Sequence, residues 1–62
     1  MEINIHALRM RQKLTQQELA DAVNVTRQTI NAIENNKYDP TLSLAFVLAE
    51  CLETTVDQLF QH

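Results

Sequence analysis

The chain is divided into short segments by four threonines that each precede a helix-like pattern: Thr15, Thr26, Thr41 and Thr55. A threonine at the N-cap of a helix accepts a hydrogen bond from a backbone N–H that the first turn leaves without a partner. Glu18 follows Thr15 by three residues and Gln58 follows Thr55 in the same way, which is the arrangement of a capping box. The sequence has no glycine and one proline, so few residues interrupt these segments. It therefore predicts an all-α chain of five helices in a single domain over residues 1–62.

The apolar spacing predicts where the first two helices begin and end. The first helix is predicted over residues 4–13, because one side of it is formed by residues spaced three and four apart: Ile5, Leu8, Arg9 and Gln12. A second helix begins after Thr15 and ends near Val23. Asn24 and Val25 form a turn, because asparagine tolerates the left-handed conformation that ends a helix. The apolar Val25 is expected to enter the core.

The third helix, which Thr26 caps, has one apolar and one polar side. At 100° per residue, Thr29, Ile30 and Ile33 share one arc. The opposite arc is polar and exposed: Arg27, Gln28, Asn31, Ala32 and Asn35. Residues 35–40 form a loop, and the fourth helix that follows Thr41 is apolar almost all the way round. Such a helix has to be covered on more than one side.

The composition excludes several classes of protein. Hydrophobic residues make up 45% and charged residues 21% of the chain, which is typical of a globular domain. One cysteine cannot form an internal disulfide, and no long apolar stretch indicates export or a membrane span. We expect a cytoplasmic protein. No nucleophile with a nearby base, metal-ligand spacing or phosphate-binding loop is visible, so we expect no enzyme activity, metal or cofactor; Cys51, His6 and His62 have structural or surface roles.

The net charge of −3 opposes nucleic-acid binding, but its distribution permits it. Residues 1–38 contain all five basic residues with four acids, and residues 39–62 contain four acids with no lysine or arginine. One end of the molecule is therefore able to face DNA while the other stays away from it.

Two capped helices joined by a short turn are typical of a helix-turn-helix, whose second helix enters the major groove of DNA. At the start of that helix, Arg27 can form a bidentate contact with guanine and Gln28 with adenine. One turn later, Ala32 can touch a thymine methyl and Asn31 a base or a phosphate. These four residues are the predicted base-reading set.

Three runs of sequence resemble the Cro/cI-type (XRE-like) helix-turn-helix family: residues 14–20 (Leu-Thr-Gln-Gln-Glu-Leu-Ala), 25–30 (Val-Thr-Arg-Gln-Thr-Ile) and 33–40 (Ile-Glu-Asn-Asn-Lys-Tyr-Asp-Pro). The resemblance covers nearly the whole chain and implies a compact lambda-repressor-like domain of the short stand-alone repressor type, with its helix-turn-helix at about residues 16–35. It also implies that Gln16 bonds a DNA phosphate, and that Lys37 and Tyr38 approach the DNA backbone. Family members usually have glycine where this chain has Lys13, Asn24 and Asn36. A lysine in a left-handed conformation would be strained, unless the first helix ends differently.

Arg9 lies on the apolar stripe of the first helix, and Glu34 lies at the edge of the buried arc of the third. A buried arginine usually has a partner, so the two are predicted to form a structural ion pair.

The main functional hypothesis is a sequence-specific transcriptional regulator, a bacterial or phage repressor that binds a palindromic operator in double-stranded DNA as a homodimer. The fourth and fifth helices would form the dimer interface, with Val47, Leu59 and Phe60 as candidate residues. The alternative is a protein-interaction module, such as an antitoxin or anti-repressor component, with an unknown protein partner. Duplex binding that weakens with salt would distinguish the two.

Overall fold

A computed structural model describes residues 3–60 and contains five α-helices in this range: α1 (Ile5–Arg11), α2 (Gln16–Ala22), α3 (Arg27–Glu34), α4 (Leu42–Cys51) and α5 (Val56–Leu59). No strand occurs between residues 3 and 60. The prediction of an all-α, five-helix fold is confirmed. The first helix is shorter than predicted at both ends, since Asn4 and Gln12 are its caps. His62 lies outside the described residues.

All four threonines cap the helices that follow them. Thr15 and Glu18 form the complete capping box, with N···O distances of 3.0 Å and 2.8 Å for the two reciprocal bonds. The capping box predicted at Thr55 is only half present. The Thr55 hydroxyl accepts the Gln58 backbone N–H, but Gln58 Oε1 accepts a bond from the Thr54 hydroxyl at 3.0 Å and does not return to the N-cap.

Each of the first four helices ends in a turn of the same type, which contains a left-handed residue that is not glycine. These residues are Lys13, Asn24, Asn36 and Glu53, at φ angles of 59°, 61°, 58° and 55°. After each of them, a backbone N–H bonds to the carbonyl five residues earlier, as Val25 N does to Ala20 O at 3.0 Å. This is the Schellman arrangement, which gives partners to the last carbonyls of a helix. The left-handed turn at Glu53 was not predicted. Asparagine adopts this conformation readily, whereas the Cβ of Lys13 and Glu53 costs on the order of 1 kcal/mol each.

Apolar side chains from every helix meet in one core: Ile5, Leu8, Leu19, Ala20, Val23, Ile30, Ile33, Ala45, Leu48, Leu52 and Leu59. Val25 and Phe60 are half-buried against it. Leu59 has no exposed surface at all. Its prediction as a dimer-interface residue is therefore wrong, because its side chain already fills the core of its own chain and cannot reach a second one.

The fourth helix is covered by its own chain on one side only. Ala45, Leu48 and Ala49 are buried, whereas Leu42, Phe46 and Val47 are 66%, 58% and 46% exposed. We call these last three residues the outer face of α4. No helix between residues 3 and 60 is long and apolar enough to cross a membrane.

Candidate nucleic-acid interface

Helices α2 and α3 are joined by a turn over residues 23–26 that the core holds in place. Val25 packs against the core, and Asn24 supplies the left-handed residue of the turn. Ile30 and Ile33 are fully buried, which fixes the rotation of α3 about its axis. The opposite side of α3 then faces outward, with Arg27, Gln28 and Asn31 exposed.

The start of α2 and the outward side of α3 together form a concave surface. A cavity of about 280 Å³ is lined by Gln16, Arg27, Gln28 and Asn31. Three of these residues belong to the predicted base-reading set, and Gln16 is a predicted phosphate ligand. The fold therefore brings together polar side chains from two helices that were all predicted from the sequence to contact DNA.

The other predicted DNA-facing residues are not among those that line this cavity. Ala32 is half-buried, so only part of its methyl group is accessible. Lys37 and Tyr38 are exposed in the loop that follows α3. The Lys37 backbone N–H closes the end of α3 by bonding to Ala32 O at 2.9 Å, which holds this loop against the helix.

Arg9 and Glu34 form the ion pair predicted from the sequence. Arg9 Nε donates to Glu34 Oε2 at 2.7 Å, and both side chains are over nine-tenths buried. Arg9 Nη1 also donates to the carbonyl of Leu14 at 2.7 Å. One arginine thus connects α1, the segment before α2, and α3.

The second oxygen of Glu34 is also surrounded by hydrogen-bonding groups. Oε1 accepts from Arg9 Nη2 and Gln16 Nε2, each at 3.2 Å, and lies 3.0 Å from His6 Nδ1. The contacts of Glu34 with Gln16 and His6 were not predicted. His6 is exposed as expected, but it adds a contact between α1 and α3 that no spacing in the sequence indicates.

These contacts shift the acidity of Glu34. Burial raises the pKa of the carboxyl group, but hydrogen bonds from Arg9, His6 and Gln16 and the positive charge of Arg9 together outweigh burial. The net result is a pKa below the ordinary value of 4.5. Glu34 is therefore an anion at neutral pH, and it anchors the side chain of Gln16 at the edge of the cavity.

Asn35 contacts Asn31 one turn earlier on α3. Its Nδ2 donates to the backbone oxygen of Asn31 at 2.8 Å and to Asn31 Oδ1 at 3.3 Å. Both residues belong to the polar arc predicted for this helix, but their contact was not predicted. The separation of four residues is the signal that would have found it.

Metal binding has no support in residues 3–60, where no three histidine, cysteine, aspartate or glutamate side chains lie close enough together to hold an ion. Cys51 is half-buried within α4.

Comparison with known proteins decides the family. Residues 5–59 match the family model described as helix-turn-helix. The chain belongs to the XRE-like helix-turn-helix family. The XRE-like family is a class of DNA-binding transcriptional regulators and not of enzymes, which agrees with the absence of enzyme activity expected from the sequence.

Similar XRE-like sequences occur in archaea and bacteria. An uncharacterised HTH-type transcriptional regulator of Methanocaldococcus jannaschii is 49% identical over 47 residues, which are 76% of this chain and 71% of that protein. Another, from Archaeoglobus fulgidus, is 38% identical over 97% of this chain and 86% of its own length. A third, YgzD of Bacillus subtilis, is 35% identical over 97% of this chain and 91% of its own length.

Solved structures with the same XRE-like fold include two bacterial proteins. The restriction-modification controller protein C.AhdI of Aeromonas hydrophila has a TM-score of 0.84 at 25% identity, over 90% of this chain and 85% of that protein. A hypothetical transcription factor from Neisseria, NHTF, also has a TM-score of 0.84, at 24% identity over 92% of this chain. The match spans 66% of the Neisseria protein, and at this identity it shows the fold alone.

Proposed function

We propose that this chain is a sequence-specific repressor that binds a palindromic operator as a homodimer, with α3 in the major groove. The observation that carries the proposal is the cavity lined by Gln16, Arg27, Gln28 and Asn31. Hydrogen-bonding side chains from two helix starts converge there on an exposed surface, which is the arrangement needed to approach base edges and the adjacent phosphates together.

The chemistry of α3 suits base recognition. Arg27 has the planar donors for a bidentate bond to guanine O6 and N7, and Gln28 has the donor and acceptor for adenine. Both are exposed in the first turn, which in a helix-turn-helix is the part that enters the groove. Ala32 keeps enough exposed surface for contact with a thymine methyl group.

The phosphate contacts are assigned to residues at the two margins of this surface. Gln16 begins α2 and still has one amide N–H beyond the one it donates to Glu34. Lys37 and Tyr38 project from the loop at the other end of α3. No acidic residue of the segment 39–62, which has four acids and no lysine or arginine, is assigned to the DNA contact.

The outer face of α4 is assigned to the dimer contact. Leu42, Phe46 and Val47 expose apolar surface, and an exposed apolar patch of this kind on a small domain typically marks an interface. A two-fold dimer would place two copies of α3 about 34 Å apart, one helical turn of DNA. Phe60 is half-buried against the core, so part of its ring remains available, and it stays a candidate interface residue.

Selection of bound duplexes from a random library tests the function. The expected result is an inverted repeat whose half-sites are centred about 10 base pairs apart, with affinity that falls steeply as salt increases. Recovery of duplexes with no common motif would contradict sequence-specific binding. If duplex binding does not weaken with salt, the protein-interaction module is the better description. Placing the selected site over a promoter should reduce transcription in vitro, whereas an increase would contradict the repressor role.

Sedimentation equilibrium tests the oligomeric state separately. At micromolar concentration we expect a dimer, whose association strengthens with salt because Glu50, Glu53 and Asp57 repel their copies. A monomer that binds a single half-site would contradict the dimer model.

A further inference from the structure

The contact between Asn35 and Asn31 determines which atoms of Asn31 can reach DNA. Asn31 lines the cavity, and Asn35 lies one turn farther along α3 at the C-cap. Two hydrogen bonds from Asn35 Nδ2 fix the position of the Asn35 amide relative to Asn31. One goes to the backbone oxygen of Asn31 at 2.8 Å and the other to Asn31 Oδ1 at 3.3 Å. The backbone bond anchors Asn35, so its amide is held as a donor facing Asn31.

A planar amide has its acceptor and its donors on opposite arms. Because Asn31 Oδ1 is turned toward Asn35, along the helix, Asn31 Nδ2 is on the arm directed away from Asn35. Among the bonds within residues 3–60, Asn31 Nδ2 donates to no protein group. Both of its N–H groups are therefore available to a ligand in the cavity.

We propose that Asn35 is a positioning residue that makes Asn31 a donor-only reader of DNA, selective for a base that presents acceptors without a competing donor. This inference rests on the proposed function. In the major groove guanine presents two adjacent acceptors, N7 and O6, whereas cytosine presents a donor at N4. The expected order of preference at the base that Asn31 contacts is guanine first and cytosine last, with thymine and adenine, which have one acceptor each, between them.

The preference for guanine differs from the usual pairing of asparagine with adenine. That bidentate contact requires Oδ1 to accept from adenine N6 while Nδ2 donates to N7. Here the bond to Asn35 keeps Oδ1 from turning toward a base. The choice between guanine and adenine thus depends on the hydrogen bond from Asn35 to Asn31 Oδ1.

The test begins by locating the base. Asn31→Ala should abolish preference at one position of the selected operator and leave the other positions unchanged. Four duplexes that differ only at this position are then titrated with each variant. Comparing the four affinities within one variant cancels any effect of that variant on all duplexes alike.

Two substitutions of Asn35 have different expected effects. In Asn35→Asp the side chain can only accept, so Asn31 should reverse its amide, donate to the new carboxylate and present Oδ1. The preferred base should then change from guanine to cytosine or adenine. The ratio of the affinities for the two bases compared should change by at least about fivefold. In Asn35→Ala the amide of Asn31 is free to rotate. The ratio of the affinity for guanine to that for cytosine should then fall to less than about half its original value.

The matched control is Asn36→Asp, which adds the same charge at the next residue. Asn36 is left-handed, a conformation that aspartate also tolerates, and it makes no side-chain bond to Asn31 among the described residues. This variant should bind all four duplexes more weakly and keep the order of preference. Thermal melting of each variant checks that the domain remains folded.

The inference is overturned if the unmodified protein prefers adenine at this position, or if Asn35→Asp keeps the original order as Asn36→Asp does. A purely structural role for Asn35 would lower all four affinities by the same factor and would also overturn it. Failure of the proposed function is a different result, in which no duplex position shows a preference in the unmodified protein.

Discussion

Glu34 on α3 accepts a hydrogen bond of 2.7 Å from Arg9 on α1, and both side chains are over nine-tenths buried. The remaining oxygen of Glu34 accepts from Gln16 on α2 at 3.2 Å. A single carboxylate therefore joins three helices, and one of its partners, Gln16, lines the cavity of the proposed DNA-binding surface.

Glu34→Gln should destabilise the domain by about 3–5 kcal/mol, because it leaves the charge of Arg9 buried without its partner. Urea denaturation measures the free energy of unfolding. The control is Glu50→Gln on the exposed side of α4, which should change stability by less than about 0.5 kcal/mol. Equal stability of the Glu34→Gln and Glu50→Gln proteins would contradict a structural role for the pair.

Stability should fall at acidic pH as Glu34 is protonated. Its pKa is lower in the folded chain than the ordinary value of 4.5, so the ion pair contributes its full stability above that pH and loses it as the pH falls through the folded value. Carbon-13 NMR of the Glu34 carboxyl group, in the folded protein and in the chain unfolded by urea, measures the two values. A folded pKa equal to or above the unfolded one would be inconsistent with the observed contacts.

Lys13→Gly and Glu53→Gly should each stabilise the domain by on the order of 0.5–1 kcal/mol. Both residues are left-handed, at φ angles of 59° and 55°, and glycine removes the Cβ that makes this conformation costly. Lys13→Ala is the matched control, because it shortens the side chain but keeps the Cβ. If the alanine variant gains as much stability as the glycine variant in thermal melting, backbone strain is not the cause.

Arg27→Ala should weaken binding to the selected operator by about 1–3 kcal/mol and relax the preference at one base position. Fluorescence anisotropy with duplexes changed at that position measures both effects. Lys37→Ala is the informative comparison, since the loss of a phosphate contact should weaken all duplexes alike and reduce the salt slope by about 1. An Arg27→Ala protein with unchanged base preference would remove Arg27 from the base-reading set.

Val47→Glu should weaken self-association of the proposed dimer, because it places a charge within the outer face of α4. Val47 is 46% exposed, so its replacement should leave the folded monomer intact. Sedimentation equilibrium should show dissociation at concentrations where the parent is dimeric, while circular dichroism shows unchanged helix content. A dimer of undiminished affinity would exclude this face from the interface.

The local signals in the sequence determined most of the secondary structure. Threonine hydroxyls at four positions and the spacing of apolar residues located the helices to within a few residues, because capping and amphipathic spacing depend on neighbours along the chain. The exposed side of α3 followed from the same spacing, since burying Ile30 and Ile33 leaves Arg27 and Gln28 outside. The ion pair of Arg9 and Glu34 was also predictable, because a charge on an apolar stripe requires a partner.

Only the tertiary structure decided which of the apolar and polar residues meet. Leu59 and Val47 are both apolar residues within helices, yet Leu59 fills the core and Val47 faces outward, because the difference depends on how α4 and α5 pack. The bonds from Gln16 and His6 to Glu34 join residues far apart in sequence, and no local pattern encodes such distances. Glu53 has no intrinsic preference for the left-handed conformation, and the backbone bonds that close the turn after α4 hold it there, so its residue type gives no signal of this turn.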